Sequence, residues 1–264
     1  PIRVYGDYDA DGVTSTALMI RLLTGLEARF DYYIPHRSRE GYGLNIPAID
    51  AAAEAGVRLI VTVDNGISAV EQIAHAASRG IDVVVTDHHE PPALLPEAVA
   101  LVNPKQPDCP YPFKGLAGAG VAFKLAHALL GRPALEFADL AAIGTIADLI
   151  PLAGENRIIA RLGLERMRRE PSPGIRALAE ASGCKAADLS SGRIAFQLAP
   201  RLNAGGRLES ADAAVRVLNA ANEREAADGA AELDRLNAER QRLVEATVRE
   251  ADAMWRERAA ASRA

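Results

Sequence analysis

The sequence predicts an α/β protein: a parallel β-sheet flanked by helices, followed by a mostly helical half and a long C-terminal helix. Three observations carry this. From the start to about residue 103, short β-prone segments alternate with helical patterns of roughly 10 to 15 residues, the signature of βαβ units. The segments VRLIVTV and IDVVVT are nearly continuous β-branched runs, as strands covered by helices on both faces require. After residue 115 the strand signal stops and alanine-rich stretches take over.

Element by element, PIRVY reads as a strand and VTSTALMIRLL as an apolar-periodic helix. FDYYIP is then followed by IPAIDAAAEAG, VRLIVTVD by SAVEQIAHAASRG, and IDVVVTD by a proline-rich loop and AVALVNP. The stretches GAGVAFKLAHALLG, ALEFADLAAIGTIADL and GENRIIARLGLERMRRE read as helices. From about Asn222 there is no proline, and Gly229 is the only glycine. Leu233, Leu236, Leu243, Val244, Val248, Ala251 and Trp255 form a helical stripe among charges, giving one long amphipathic helix. The expected organisation is a catalytic domain over 1–220, with a sheet core to 103 and a helical part over 104–220. Residues 221–264 are expected to connect to a second domain outside this chain, with Met254 and Trp255 meeting it and the helix charges forming a solvated face.

The bulk composition bounds the function. At 264 residues and 49% hydrophobic content the chain can bury a substantial core. No stretch approaches the roughly 18 uninterrupted apolar residues of a membrane span, and the first residues read as a strand rather than a leader, so the expectation is cytoplasmic, with no membrane partner. Cys109 and Cys184 lack metal-type spacing and read as reduced thiols. A net charge of -5 argues against a protein that coats nucleic acid by charge alone, and leaves room for a local basic groove.

The chemistry is concentrated at strand ends. GDYDADGVTST, residues 6–16, sets Asp7, Asp9 and Asp11 at every second position before Gly12. An EF-hand loop has similar spacing, but it needs a bidentate Glu at the position that is Leu18 here and a helix, not a strand, before the loop. Three carboxylates this close repel unless a cation sits among them. Asp64 follows the strand VTV, Asp87, His88 and His89 follow VVT, and Asp148 lies in the apolar GTIADLIPL. Singly each has an ordinary explanation: a helix cap, the turn chemistry of Asp64-Asn65-Gly66, or a surface histidine pair. Asp148 is harder to explain that way, because a carboxylate in an apolar helix wants a partner. Together they form a set of hard oxygens and imidazole nitrogens suited to two divalent ions, Mn²⁺ or Mg²⁺, and two such ions can generate a hydroxide and clamp a phosphoryl group. The chemistry indicated is phosphoester hydrolysis.

Substrate contacts are read from three further stretches. PHRSREGYGLN offers His36, Arg37 and Arg39 beside Tyr42, or an ordinary basic surface loop. LAGAGVAFK places Gly118 and Gly120 at an expected helix start, where free N–H groups could meet phosphate, although close helix packing is the commoner reason for such glycines. RLNAGGR combines Arg201, Asn203, Gly205, Gly206 and Arg207 into an anion-binding set with exposed backbone. His75 and His127 read as ordinary helix residues.

In order along the chain, GDYDADGVTST, PHRSREGYGLN, VTVDNGIS, VTDHHEPP, VNPKQPDCPYPFKGLAGAGVAFKL, GTIADLIPLAGENR and APRLNAGGRLESA resemble the DHH phosphoesterases. Within them the chain is most similar to the RecJ-type single-strand-specific exonucleases, through about residue 220. The resemblance implies that Asp9 and Asp7 hold one ion, that Asp11, His88 and Asp148 hold the other, and that Asp64 bridges them. It places His89 beside the scissile phosphate, orienting it or the attacking water, with Asp64 and Asp87 in the catalytic set, and Arg201, Asn203 and Arg207 on substrate phosphate. Many relatives carry a metal-binding histidine where this chain has Tyr5, which makes Asp7 the substitute.

The implied function is 5′-to-3′ hydrolysis of single-stranded DNA to mononucleotides, in repair and recombination, by a monomer for which a single-strand-binding protein is a candidate partner. Weakened DNA affinity is expected of this piece, with chemistry largely retained. The alternatives are a DHH enzyme of short oligonucleotides, cyclic dinucleotides or pyrophosphate, and a non-catalytic scaffold, which the nearly complete ligand set disfavours.

Overall fold

The computed structural model describes residues 1–261. Its sheet is built from β1 (Ile2–Tyr5), β2 (Phe30–Tyr33), β3 (Leu59–Val63), β4 (Asp82–Thr86) and β5 (Ala100–Val102), all parallel, in the order β2-β1-β3-β4-β5. Helix α1 (Ala10–Gly25) and the one-turn α2 (Arg37–Glu40) precede α3 (Ile46–Glu54), and α4 (Val70–Ser78) joins β3 to β4. The helical half comprises α5 (Gly118–Leu130), α6 (Ala138–Ala147), α7 (Gly154–Arg169), α8 (Pro173–Ala181), the single turn α9 (Ser191–Arg193), α10 (Ala199–Leu208), α11 (Asp212–Leu218) and α12 (Glu223–Ala261). Every segment expected to be a strand forms one. Among the described residues, no helix is long and apolar enough to cross a membrane.

Strand alternation divides the core. Val4, Val61 and Val63 face the larger cluster, built with α1, α5, α6 and the rest of the helical half. Tyr5, Ile60, Val83 and Val85 face the smaller one, closed by Ile49 and Ala52 of α3 and Ile73 and Ala76 of α4. This two-sided burial is what the β-branched runs encode. The connection leaving β1 runs to β2 on one side and the connection leaving β3 runs to β4 on the other, so the loops after these two neighbouring strands diverge. The crevice this opens at the strands' carboxyl ends is where an open α/β sheet binds ligands.

Helices α6 and α7 meet across a glycine. A Cβ on Gly163 would overlap the Cβ of Ala142 and the carbonyl of Ala138. Gly163→Ala is therefore expected to cost roughly 1–3 kcal/mol, lowering thermal melting by about 3–10 °C. An unchanged melting temperature would refute the close approach.

Three readings are corrected here. RLNAGGR, expected to expose its backbone, is the helix α10, entered through a π-type turn at Ile194–Leu198, and Gly205 and Gly206 are buried. Their lack of side chains serves packing: a Cβ on Gly205 would lie 2.8 Å from the Ser210 carbonyl, and one on Gly206 would strike the Tyr8 carbonyl. The segment beginning Pro173, given no element from sequence, is α8. The first half of α12 is more than a connector, since Ala226, Ala230, Leu233 and Leu236 of its apolar stripe are buried in the core, whereas residues 241–256 are exposed.

Candidate metal centre and active site

The carboxylates converge because each is attached to the end of a regular element. Asp64 and Asp87 immediately follow β3 and β4, and Asp7 lies two residues beyond β1. Asp9 is the N-cap of α1, and its Oδ1 accepts the amides of Asp11 (2.9 Å) and Gly12 (3.0 Å). One oxygen thus does the ordinary capping work and the other is left for the site. Asp148 is the C-cap of α6. That end of a helix carries partial negative charge, so a carboxylate there calls for a nearby cation.

Asp64 has φ +64°, a left-handed conformation uncommon for a residue with a side chain. Its carboxylate is buried and accepts no hydrogen bond from the following turn, which removes the turn-chemistry explanation. Oδ1 of Asp64 and Oδ1 of Asp7 are buried without hydrogen-bond partners. His88 Nε2 stands 3.1 Å from Asp64 Oδ1, 3.8 Å from Asp11 Oδ2 and 3.8 Å from Asp148 Oδ2. Among the described residues three groupings result, each with its ligand atoms within 4.8 Å of one another: Asp7, Asp9 and Asp64; Asp11, His88 and Asp148; and Asp64, His88 and His89.

Electrostatics agree with the geometry. Burial, then the neighbouring Asp9, pushes Asp7 up to about 7. Burial and Asp9 likewise raise Asp148 to about 6. Asp11 and Asp64 are held above the usual carboxylate range, by burial first and then by other carboxylates: Asp148 for Asp11, Asp11 for Asp64. His88, buried and beside His89, is lowered to about 4, which keeps it a neutral ligand. Orphaned carboxylate oxygens, raised carboxyls and a neutral imidazole are the donor set of a hard divalent cation.

Asp87 does different work. Its Oδ2 accepts the Ile67 amide, and its Oδ1 accepts the amides of His88 (2.7 Å) and His89 (3.1 Å) and lies 2.7 Å from His89 Nδ1. Burial works against its ionisation, but the His89 contact and the Ile67 amide outweigh it and hold the carboxyl below its usual value. The same contact raises His89. It also places the proton on Nδ1 and leaves Nε2 of this half-exposed ring for a substrate. Tyr42 reaches the site as well, donating from Oη to the Asp64 carbonyl at 3.0 Å with His89 Nδ1 at 3.2 Å.

Two groups of expected phosphate contacts are corrected. The amides of Gly118 and Ala119 donate to Asp11 at 2.7 and 2.8 Å, so the N-terminus of α5 is occupied by a carboxylate of the protein itself. A Cβ on Gly118 would lie 2.5 Å from Asp64 Oδ1, and one on Gly120 would lie 3.2 Å from Leu116, so both glycines serve packing. Arg201 is committed within the fold, paired with Asp234 of α12 at 2.7 Å and bonded to the carbonyls of Gln197 and Ala181. Arg207 is exposed, and Asn203 caps α1 by accepting the Ala10 amide at 2.8 Å.

Tyr5 points into the smaller core, and its hydroxyl donates to the Gly43 carbonyl. His36 donates its amide to Glu40 with its ring against Ser38, and Arg39 is exposed. Arg37 lies over the Tyr8 ring at 5.3 Å, and Tyr8, Tyr42 and His89 follow one another edge to face. His75 is paired with Asp50, and His127 meets Phe123 edge to face.

Sequence reasoning missed Tyr8, Asn103 and Lys105. Asn103 donates from Nδ2 to the His89 carbonyl and accepts the Lys105 amide. The charge of Lys105 reaches both His88 and Asp148. Its position just beyond β5, at the ligand-binding end of the sheet, was the available signal.

Comparison with known proteins follows the same lines. The model of the DHH family, N-terminal domain, matches residues 1–145. The chain is 56% identical over 243 residues to the single-stranded-DNA-specific exonuclease RecJ of Bacillus subtilis, covering 92% of this chain and 31% of that protein. It is 44% identical to the RecJ of Escherichia coli, with 92% and 45% coverage. A crystal structure of exonuclease RecJ bound to manganese superposes with a TM-score of 0.87 at 43% identity, covering 94% of this chain and 64% of that one. RecJ of Thermus thermophilus in complex with Mn²⁺ superposes with a TM-score of 0.82 at 42% identity, covering 94% and 36%. The chain thus spans less than half the length of these curated relatives.

Proposed function

Since the chain belongs to the DHH family, we propose that it is the catalytic part of a metal-dependent exonuclease that hydrolyses single-stranded DNA from the 5′ end. The observation that supports this reading most directly is that Asp64 and His88 each belong to two of the three ligand groupings, which joins them into one site. Asp7 and Asp9 would hold one divalent ion, Asp11, His88 and Asp148 a second, with Asp64 between them; the manganese-bound relatives support Mn²⁺, and the carboxylate-rich donor set also suits Mg²⁺. Bound there, the ions would supply activation of water and neutralisation of phosphoryl charge.

The chain's own residues do the rest. His89, its Nδ1 proton engaged by Asp87, presents Nε2 toward the scissile phosphate or the attacking water. Tyr42 fixes the backbone of Asp64 and walls the His89 ring. Arg37 and Arg207 offer cationic donors around Tyr8. A cytoplasmic monomer, with a single-strand-binding protein as partner, completes the proposal.

The test is a nuclease assay with single strands labelled at the 5′ or the 3′ end, in Mn²⁺ with and without chelator. Mononucleotide release from the 5′ end, lost in chelator, is expected. Cleavage that survives chelation, or faster turnover of dinucleotides or pyrophosphate, would reject the reading. Asp87→Asn should lower kcat by about 100-fold, because His89 loses its orienting partner. A kcat within twofold of the parent would show that Asp87 does not position His89.

A further inference from the structure

Helix α12 carries one buried polar side chain that its amphipathic pattern does not explain. Its inward positions are Ala226, Ala230, Leu233 and Leu236, and then Asn237, which is only 4% exposed. A buried amide is costly unless its polar atoms are satisfied. Asn237 Oδ1 accepts from both Nε (3.2 Å) and Nη2 (3.0 Å) of Arg240, one turn on. The amide thereby fixes the direction of a half-buried guanidinium and leaves its remaining N–H groups free to donate elsewhere.

Arg240 lines a cavity of about 160 Å³ together with Pro200, Asn203 and Arg207. No carboxylate is among these residues. Asn203 is bonded to the Ala10 amide, so the cavity adjoins the turn that bears Asp9 and Asp11. Gly206 brings α10 against the Tyr8 carbonyl on the same side. Two guanidinium groups and a side-chain amide thus meet beside the candidate metal centre, a donor set suited to phosphate.

We infer that Arg240, oriented by Asn237, completes with Arg207 and Asn203 a phosphate subsite flanking the cleaved bond. The inference rests on the nuclease reading above, and it makes the long helix part of the substrate site. Arg240 contacts the phosphate, and Asn237 is a positioning residue. The phosphate could be an internal diester or the terminal monophosphate of the strand.

The experiment measures KM and kcat for 5′-phosphorylated and 5′-hydroxyl single strands in Mn²⁺. Arg240→Gln should raise KM about tenfold while kcat falls less than threefold. Arg240→Lys should recover part of the loss, and Asn237→Ala should act in the same direction but less. Arg235→Gln, on the same helix but paired with Glu209 and Glu239, is the control for helix damage. A KM effect on both strands identifies an internal diester, and one confined to the phosphorylated strand identifies the terminal group. An unchanged KM in Arg240→Gln overturns the inference.

Should the parent protein cleave neither strand, the nuclease reading fails, and metal-free fluorescence anisotropy with the same strands decides the subsite separately. There Arg240→Gln should weaken binding and reduce the salt-dependence slope by about 0.7. An affinity and slope equal to the parent's would overturn the subsite.

Discussion

Asp64→Asn is expected to lower kcat on the order of 10⁴-fold while making the chelated protein more stable. Asn is the informative replacement because position 64 has φ +64°. Asn tolerates that left-handed conformation, whereas Ala would add roughly 1–2 kcal/mol of strain and confuse folding with function. The activity loss follows from the position of Asp64, which is shared by two of the three ligand groupings. The stability gain follows from the same crowding. Its Oδ1 is buried without a hydrogen-bond partner, and burial together with Asp11 raises its carboxyl above the usual range. Removing the charge relieves that repulsion as long as no cation is bound. Mn²⁺ should accordingly raise the melting temperature of the parent, by an increment worth about 2.7 kcal/mol at a hundredfold excess over Kd, and do little for the variant. Single-turnover cleavage and thermal melts with and without Mn²⁺ check both halves. A variant within tenfold of parental kcat would remove Asp64 from the chemistry.

The second large effect is on pH dependence. In chelator, stability should fall as pH rises from about 4 to 8, opposite to the usual behaviour of folded acids. Asp7 is raised from 3.8 unfolded to about 7 folded. Between those values the folded state holds the proton and the unfolded state has lost it. The native form therefore binds more protons, and unfolding free energy declines with pH. Moving the carboxyl from 3.8 to about 7 corresponds to at most about 4 kcal/mol, complete once pH exceeds 7. Asp148, raised to about 6, and Asp11 and Asp64, held above the usual carboxylate range by burial, act in the same direction, while His88, lowered from 6.5 to about 4, opposes them between those two values without outweighing the four carboxyls. With saturating Mn²⁺ the slope should flatten or reverse, because the deprotonated carboxylates are the ones a cation binds. Denaturant titrations at several pH values, with chelator or Mn²⁺, measure this. Asp7→Asn should make the slope in chelator shallower, and Asp148→Asn should add to that effect. A flat or rising profile in chelated parent protein would mean the carboxylates are not crowded as described.

Much of this was legible in the residue order. The β-branched runs VRLIVTV and IDVVVT announced buried parallel strands, and each forms one, because period and composition are contiguous properties that neighbouring residues impose on the backbone. Asp7, Asp64 and Asp87 could be placed at carboxyl ends of strands for the same reason, and the ordered motifs pointed to the DHH family that the family model matches. RLNAGGR misled, since two glycines and an asparagine suggest an open loop. Tertiary contact with Tyr8 and Ser210 instead selects them for space within a helix.

By itself the sequence determined the sheet, the helical half and the identity of the acidic and imidazole groups at the site. Only the tertiary structure decided which partner each polar group takes. The amides of Gly118 and Ala119 meet Asp11 rather than a phosphate, Arg201 is matched to Asp234, and Asn237 holds Arg240 toward Arg207. Helix and strand preferences are set by residues adjacent in the chain, whereas these partner choices depend on how whole segments pack, across 107 residues for Gly118 and Asp11 and 193 for Ala10 and Asn203. Those distances exist only after the elements have packed.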